Sequence, residues 1–200
     1  MNPSKPFSEA CERNKQPILD VIKPLLKNKK TLLEIGSGTG QHAVFFAENL
    51  THLHWQTSDR EENHPSINLW LNDSPAKNIN QPIPLDVQID PWPSAKFDAV
   101  YSANTAHIMS WKAVESLFVG VGQTLDEKGI FILYGPFNYH GEFTSESNRK
   151  FEDWLKNIDP ERGIRDFEAV NQLAEQAGMK LIEDYEMPSN NRILVWEKIE

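Results

Sequence analysis

The fold turns on the stretch "TLLEIGSGTG", residues 31–40. An apolar run reaches an acid, Glu34, and after Ile35 three glycines alternate: Gly36, Gly38 and Gly40. Glycine weakens a fold there unless the backbone must turn sharply or let something approach closely. A nucleotide cofactor is the usual visitor. In doubly wound sheets, ligands bind beyond the carboxyl ends of the strands, near the switch point beside the first strand. The loop after Ile35 belongs there. Gly36 and Gly38, with Ser37 between them, let the backbone turn toward a ligand, and Gly40 opens the next helix. A carboxylate about 20 residues on typically takes the ribose hydroxyls. Asp59, closing "LHWQTSD", has that spacing.

Three frames compete for the loop. The dinucleotide frame G-x-G-x-x-G needs glycine at 41 or 43, where the chain has Gln41 and Ala43. The phosphate loop of NTPases needs Gly-Lys-Ser/Thr, but Gly40 is followed by Gln41 and His42. The frame that fits is E-x-G-x-G-x-G, from Glu34 to Gly40.

Outward from this loop, helix-period and strand-like segments alternate, which points to an α/β fold with a mostly parallel sheet. Ile18, Val21, Ile22 and Leu25 recur at helical spacing, with Pro17 in the first turn and Pro24 near the end. The spacing gives strands over 31–35, 53–59, 82–87, 97–103 and 129–135. Helices are expected over 41–50, 64–73 and 110–125, the last capped by Ser110. Residues 136–165 break the rhythm with turns and a helix carrying Phe151, Trp154, Leu155 and Ile158 on one face. A further helix runs from its N-cap Asp166 to its stop at Gly178. Two antiparallel strands, 180–187 and 192–198, close the chain. The whole reads as one domain over 1–200, with 1–28 an N-terminal helical segment and 136–165 an insertion capping the pocket.

Composition narrows the partners. The 200 residues are 39% hydrophobic and 24% charged, as in an ordinary globular domain. The net charge of −9 opposes duplex nucleic acid. The six tryptophans are scattered and form no base-stacking motif. No apolar run approaches the roughly 20 residues of a membrane span, and the N-terminus lacks the apolar core of a signal peptide. The lone Cys11 excludes an internal disulfide and agrees with a reducing, cytoplasmic setting. His52 and His54 alternate as on a strand, but no carboxylate or cysteine cluster accompanies them, so no metal site is expected.

"LLEIGSGTG" resembles motif I of the class I S-adenosylmethionine-dependent methyltransferases, and the resemblance continues in register. It implies a Rossmann-like, seven-stranded, mostly parallel sheet with an antiparallel C-terminal hairpin and helices on both faces. It implies S-adenosyl-L-methionine as cofactor, with Asp59 on the ribose hydroxyls. "PLDV" would bring Asp86 to the adenine amino group and Val87 to the ring edge. "FDAVYSANTAHI" would set Ala103 and Asn104 by the methionine part. Glu34 either lies by that end of the cofactor or only braces the glycine loop. A narrower resemblance, carried by "ACERNKQPIL", "SANTAHIMSW", "LYGPFNYHGEFTSESN" and "GIRDFE", is to the methyltransferase-like protein 26 family; it supplies no substrate.

Methyl transfer from a sulfonium is an in-line displacement. The protein must align a nucleophile, exclude water and in some cases remove a proton. Candidates for that work are Asn104, His107 and Tyr134, followed by Asn138, Tyr139 and His140. His107 is the natural general base by residue type. Arg13 and Asn14, placed just before the first helix, would fold over the cofactor's carboxylate. The expected acceptor is a small molecule; the oligomeric state is open. An RNA or protein methyltransferase would need a positive patch around the pocket, and two further rival functions stand beside a methyltransferase. One is a non-catalytic cofactor-binding or protein-interaction module with the same fold. The other is an NAD-dependent oxidoreductase, disfavoured by Gln41 and Ala43.

Overall fold

A computed structural model describes residues 5–199, so the outermost ends of the expected 1–200 domain and 1–28 segment lie outside the described residues. Seven strands form the main sheet: β1 (Thr31–Ile35), β2 (His54–Asp59), β3 (Ile79–Pro84), β4 (Phe97–Ala103), β5 (Leu125–Gly135), β8 (Met179–Met187) and β9 (Asn191–Lys198). Two short strands, β6 (Phe137–Asn138) and β7 (Arg165–Asp166), pair in parallel beside it. The sheet order is β3-β2-β1-β4-β5-β9-β8. All pairs are parallel except those of β9, which runs antiparallel to both β5 and β8. The terminal hairpin thus slots β9 between β5 and β8, as expected. The order reverses direction between β1 and β4, which opens a crevice at their carboxyl ends.

Among the described residues, six α-helices surround the sheet: α1 (Glu9–Leu25), α2 (Gln41–Asn49), α3 (His64–Asp73), α4 (Trp111–Thr124), α5 (Glu146–Ile158) and α6 (Phe167–Gln176). Alternation along β1 divides the core. Leu32 packs with Ile18, Ile22, Phe46, Trp55 and Tyr101, beneath α1 and α2. Leu33 and Ile35 pack with Val114, Leu117, Phe118, Val170 and Trp196, beneath α4 and α6. Burial of each such aliphatic side chain contributes about 1.5–3 kcal/mol. Glu34 shares the face of Leu32, and that position sets its chemistry.

Several boundaries differ from the sequence reading. Helix α1 begins at Glu9, not at Pro17. Ser8 caps it, its Oγ accepting from Cys11 N at 3.3 Å, and Glu9 and Glu12 favour the first turn through the helix dipole. Pro17 is tolerated within the helix, and Pro24 comes one residue before its end. Arg13 and Asn14 are therefore helical. Strand β3 is Ile79–Pro84 rather than 82–87, so Asp86 and Val87 follow the strand. β5 starts earlier, at Leu125, with a register shift against β4 between Phe97 and Ala99. Ser110 caps α4 as expected, but Asp166 makes no side-chain cap bond to α6. On α5 only Leu155 of the expected apolar face is fully buried; Trp154 and Ile158 are 55% and 50% exposed. His52 precedes β2 in a turn, its Nε2 within 3.0 Å of Leu26 O.

Candidate functional site

The loop between β1 and α2 is fastened at each of its first three residues. Gly36 N and Ser37 N both donate to Ser58 O at 3.0 Å. Ser37 Oγ donates to Glu34 Oε2 at 2.8 Å and accepts from Ser58 N at 3.2 Å. Gly38 N donates to Asp59 Oδ2 at 2.7 Å. Two glycines explain themselves. Gly36 has φ +73°, and a Cβ there would meet Thr105 Cγ2 at 2.6 Å. Gly38 has φ +59°, yet a Cβ there would meet nothing within 4 Å. The loop is thus shaped against the protein at Gly36 and faces open space at Gly38. Gly40 takes the N-cap position of α2.

Asp59 ends β2 and is 7% exposed. Besides Gly38 N, its carboxylate accepts from Arg60 N and from Asn63 Nδ2, each at 2.8 Å. It is far from a solvated strand-end acid. Its three donors fix the carboxylate at the crevice; Oδ1 accepts from Arg60 and Asn63 and Oδ2 from Gly38, so acceptor capacity for a hydroxyl remains on Oδ2, and a second hydroxyl would displace Asn63 from Oδ1.

Glu34 is 2% exposed, and its Oε2 also accepts from Trp55 Nε1 at 3.1 Å. Burial pushes its pKa up to about 7, against the lowering pull of the Trp55 and Ser37 hydrogen bonds. The acid does brace the loop. Opposite it in the β1–β4 register lies Tyr101, whose hydroxyl is buried without a partner.

Asn14 and Arg13 part company. Asn14 Oδ1 lies 2.7 Å from Nε2 of His42. Arg13 stands on the outer side of α1, its side chain 72% exposed and 3.7 Å from Glu9. His42 is buried, its pKa lowered to about 4 chiefly by desolvation. Burial raises the Tyr134 pKa.

At the end of β4, Ala103 and Asn104 are half-buried between the buried Ser102 and Thr105. Asn104 adopts φ +58°, uncommon for a residue with a side chain, and its N donates to Tyr134 O at 2.9 Å. His107 follows, 6% exposed, with Phe151 of α5 edge-on at 5.3 Å. Desolvation first, then Arg165 and Arg162, lower its pKa to about 4. It is neutral at pH 7 and a weaker base than an ordinary histidine. Beyond β3, Asp86 is half-buried and Val87 buried; Asp86 Oδ1 accepts from Gln88 N at 3.0 Å.

The carboxyl ends of β1–β5 thus gather Glu34, the glycine loop, Asp59, Asp86, Ala103, Asn104, His107 and Tyr134, with Asn14 reaching in from α1. Sequence reasoning missed Trp55, Asn63, Thr105, His42 and Tyr101. Asn63 had a signal, four residues beyond Asp59. Thr105 had none, since only the backbone path brings it against Gly36.

Residues 5–198 match a family described as "Protein of unknown function (DUF938)". Among solved structures, the chain is similar to an O-methyltransferase family protein from Burkholderia thailandensis (TM-score 0.84, 11% identity, 96% of this chain and 58% of that one). It is similar to human N-acetylserotonin methyltransferase in complex with SAM (TM-score 0.80, 15% identity, 96% and 53%). A third is an O-methyltransferase family 2 protein from Planctomyces limnophilus in complex with apigenin (TM-score 0.76, 15% identity, 88% and 52%). At these identities the likeness is one of fold: the Rossmann-like sheet of these methyltransferases, with its antiparallel C-terminal strands. The chain spans a little over half the length of each.

Proposed function

The chain belongs to the DUF938 family, and for this member we propose an S-adenosylmethionine-dependent methyltransferase acting on a small molecule. The observation that carries the reading is the contact between Gly38 N and Asp59 Oδ2, 2.7 Å, at the switch point of the sheet. It joins the glycine loop to the acid expected on a ribose, while Gly38 leaves the space before it open. The residues present fit a nucleoside of this kind. The resemblance to the methyltransferase-like protein 26 family is part of the same reading.

In this assignment Asp59 holds the ribose hydroxyls, and Asp86 and Val87 hold the adenine. Glu34, Gly36, Ser37, Gly38, Gly40, Ala103 and Asn104 surround the remainder. From α1 the contact falls to Asn14, because Arg13 faces solvent. When bound, the cofactor supplies a methyl group already activated by a sulfonium charge. The chain's task is alignment and exclusion of water. Asn104, on its left-handed backbone, and Tyr134 orient the acceptor. His107, neutral above about pH 4, accepts a hydrogen bond from the nucleophile and takes its proton where one must leave. The insertion 136–165 covers this end through Phe151. The lone Cys11 supports a cytoplasmic setting.

The test is incubation with methyl-labelled S-adenosylmethionine and a fractionated metabolite pool. Label transfer with S-adenosylhomocysteine release supports the proposal. Cofactor binding with no transfer to any fraction supports the non-catalytic module instead. His107→Ala should lower turnover, about 100- to 10,000-fold if it removes a proton, with cofactor affinity little changed. A turnover within twofold of the parent makes His107 a packing residue.

A further inference from the structure

Helix α1 is held to the protein in two different ways. Beyond Pro17, Ile18, Leu19 and Ile22 are buried in the core with Leu32, Phe46 and Trp55. Before Pro17, none of residues 5–16 is buried. This stretch is fastened by polar groups and cations. Trp70 Nε1 donates to Pro6 O at 2.7 Å, and Lys5 Nζ lies 3.9 Å above the same indole and 3.0 Å from Asp73 Oδ2. Ser8 N donates to Gln41 Oε1, and Asn14 Oδ1 meets His42 Nε2 at 2.7 Å.

Pro17 marks the change. It offers no N–H, so Arg13 O lacks its helical donor, and its ring disfavours the helical conformation of Gln16. A stretch without buried side chains opens at low cost, and elements that move are drawn from such stretches. What this one covers is buried. Gln41 and His42 lie directly beneath it. Behind His42, with ring centroids 6.5 Å apart, is Tyr101, the register partner of Glu34. Among the described residues the Tyr101 hydroxyl has no partner, a cost that is relieved when the cover lifts and water enters. The fastening also reaches the glycine loop. A Cβ on Gly40 would meet Trp70 Cβ at 3.2 Å, and Gln41 Oε1 accepts from Thr39 Oγ1 at 3.1 Å. Trp70 and Gln41 therefore hold both the end of the loop and the segment that crosses it.

We propose that residues 5–16 form a lid, hinged at Pro17 and latched by Trp70 and Gln41, that lifts to admit the nucleoside and shuts on its methionine end. The lid is closed in this structure. The proposal deepens the methyltransferase reading and rests on it. It assigns Trp70 and Pro17 to the traffic of the cofactor: Trp70 sets how long the lid stays shut, and Pro17 how readily it lifts.

The test is amide hydrogen exchange of the full chain, read residue by residue by nuclear magnetic resonance, free and with S-adenosylhomocysteine. In the free protein Arg13–Gln16 should exchange at least roughly tenfold faster than Leu19–Ile22 of the same helix, and the nucleoside should slow Arg13–Gln16 selectively. Pro17→Ala restores the missing donor and should slow both that exchange and the association of S-adenosylhomocysteine. Trp70→Phe removes the bond to Pro6 O and should speed dissociation roughly three- to tenfold in stopped flow, with association little changed. Equal protection of the two halves in the free protein overturns the hinge. Fast exchange that the bound nucleoside leaves unchanged reduces the segment to a fraying end and overturns the lid, as do parental rates in both variants. A parent that fails to bind S-adenosylhomocysteine defeats the methyltransferase reading, and the free-protein exchange of the parent and Pro17→Ala still decides the hinge.

Discussion

Two carboxylates hold the glycine loop, Glu34 from beneath and Asp59 from beside it. Asp59 accepts from Gly38, Arg60 and Asn63. If it also takes both ribose hydroxyls, Asp59→Ala removes hydrogen bonds to a charged group, worth roughly 1.5–3 kcal/mol. S-adenosylmethionine should then bind roughly 10- to 150-fold more weakly by calorimetry. Asp59→Asn should lose less, and Glu61→Ala and Glu62→Ala should change little. A tenfold loss in either control with none in Asp59→Ala would move the ribose contact to the other acid. Glu34 makes a prediction about pH. Its folded pKa of about 7 lies above the model-compound value of 4.5. Its protonated form is favoured by the fold, so its contribution is fully present below about pH 4.5 and lost as pH rises through about 7. His42 and His107, lowered to about 4 from 6.5, act in the opposite sense, adding stability as pH rises between those values. Comparison with Glu34→Gln isolates the acid. Relative to the parent, the variant should gain stability from about pH 5 to about pH 8, by a few kcal/mol at most. Urea midpoints at the two pH values decide it; a constant difference would show that the fold does not raise the Glu34 pKa.

At the scale of elements, the glycine loop and α1 divide what the sequence makes legible from what it does not. Gly36→Ala places a Cβ 2.6 Å from Thr105 Cγ2 at positive φ. It should destabilise the fold by about 1–3 kcal/mol, measured by urea unfolding. Gly38→Ala carries the strain of φ +59° but meets no protein atom within 4 Å, so it should cost less stability than Gly36→Ala and show its larger effect in cofactor affinity. The reverse order would mean that the open side of the loop has been misassigned. The loop was legible because Glu34 and three glycines leave few alternatives. The first helix was not. Pro17 suits a first turn, and starting there hides the phase of residues 9–16. Continuing the helical period backward from Ile22 and Ile18 reaches Asn14 and Cys11, all on one face, with Arg13 outside it. Asn14→Ala should therefore weaken cofactor binding, while Arg13→Ala should stay within twofold. Asp86 and Val87, named from their motif, lie beyond the strand, which ends at Pro84; chain order beyond a parallel strand survives a shifted boundary. The unpartnered hydroxyl of Tyr101 had no sequence signal, since burial without a partner exists only once the chain is packed.

At the scale of the whole molecule, the order β3-β2-β1-β4-β5-β9-β8 is what brings these parts together. The reversal at β1 and β4 places the loop, Asp59 and Asn104 around one crevice, and β8, joined to β5 through the antiparallel β9, forms the far edge of the sheet. Among the described residues, no helix is long and apolar enough to cross a membrane. The fold alone does not decide between cofactors, since doubly wound sheets also hold dinucleotides; the proposal of S-adenosylmethionine rests on the residues of the loop. Calorimetry of the full chain with S-adenosylmethionine, S-adenosylhomocysteine and NAD, repeated on Asp59→Ala, is the most direct measurement. The account predicts that the parent binds both sulfur nucleosides and not NAD, and that Asp59→Ala loses them roughly tenfold or more. Binding of NAD in preference to S-adenosylmethionine, or binding of neither nucleoside, would contradict it.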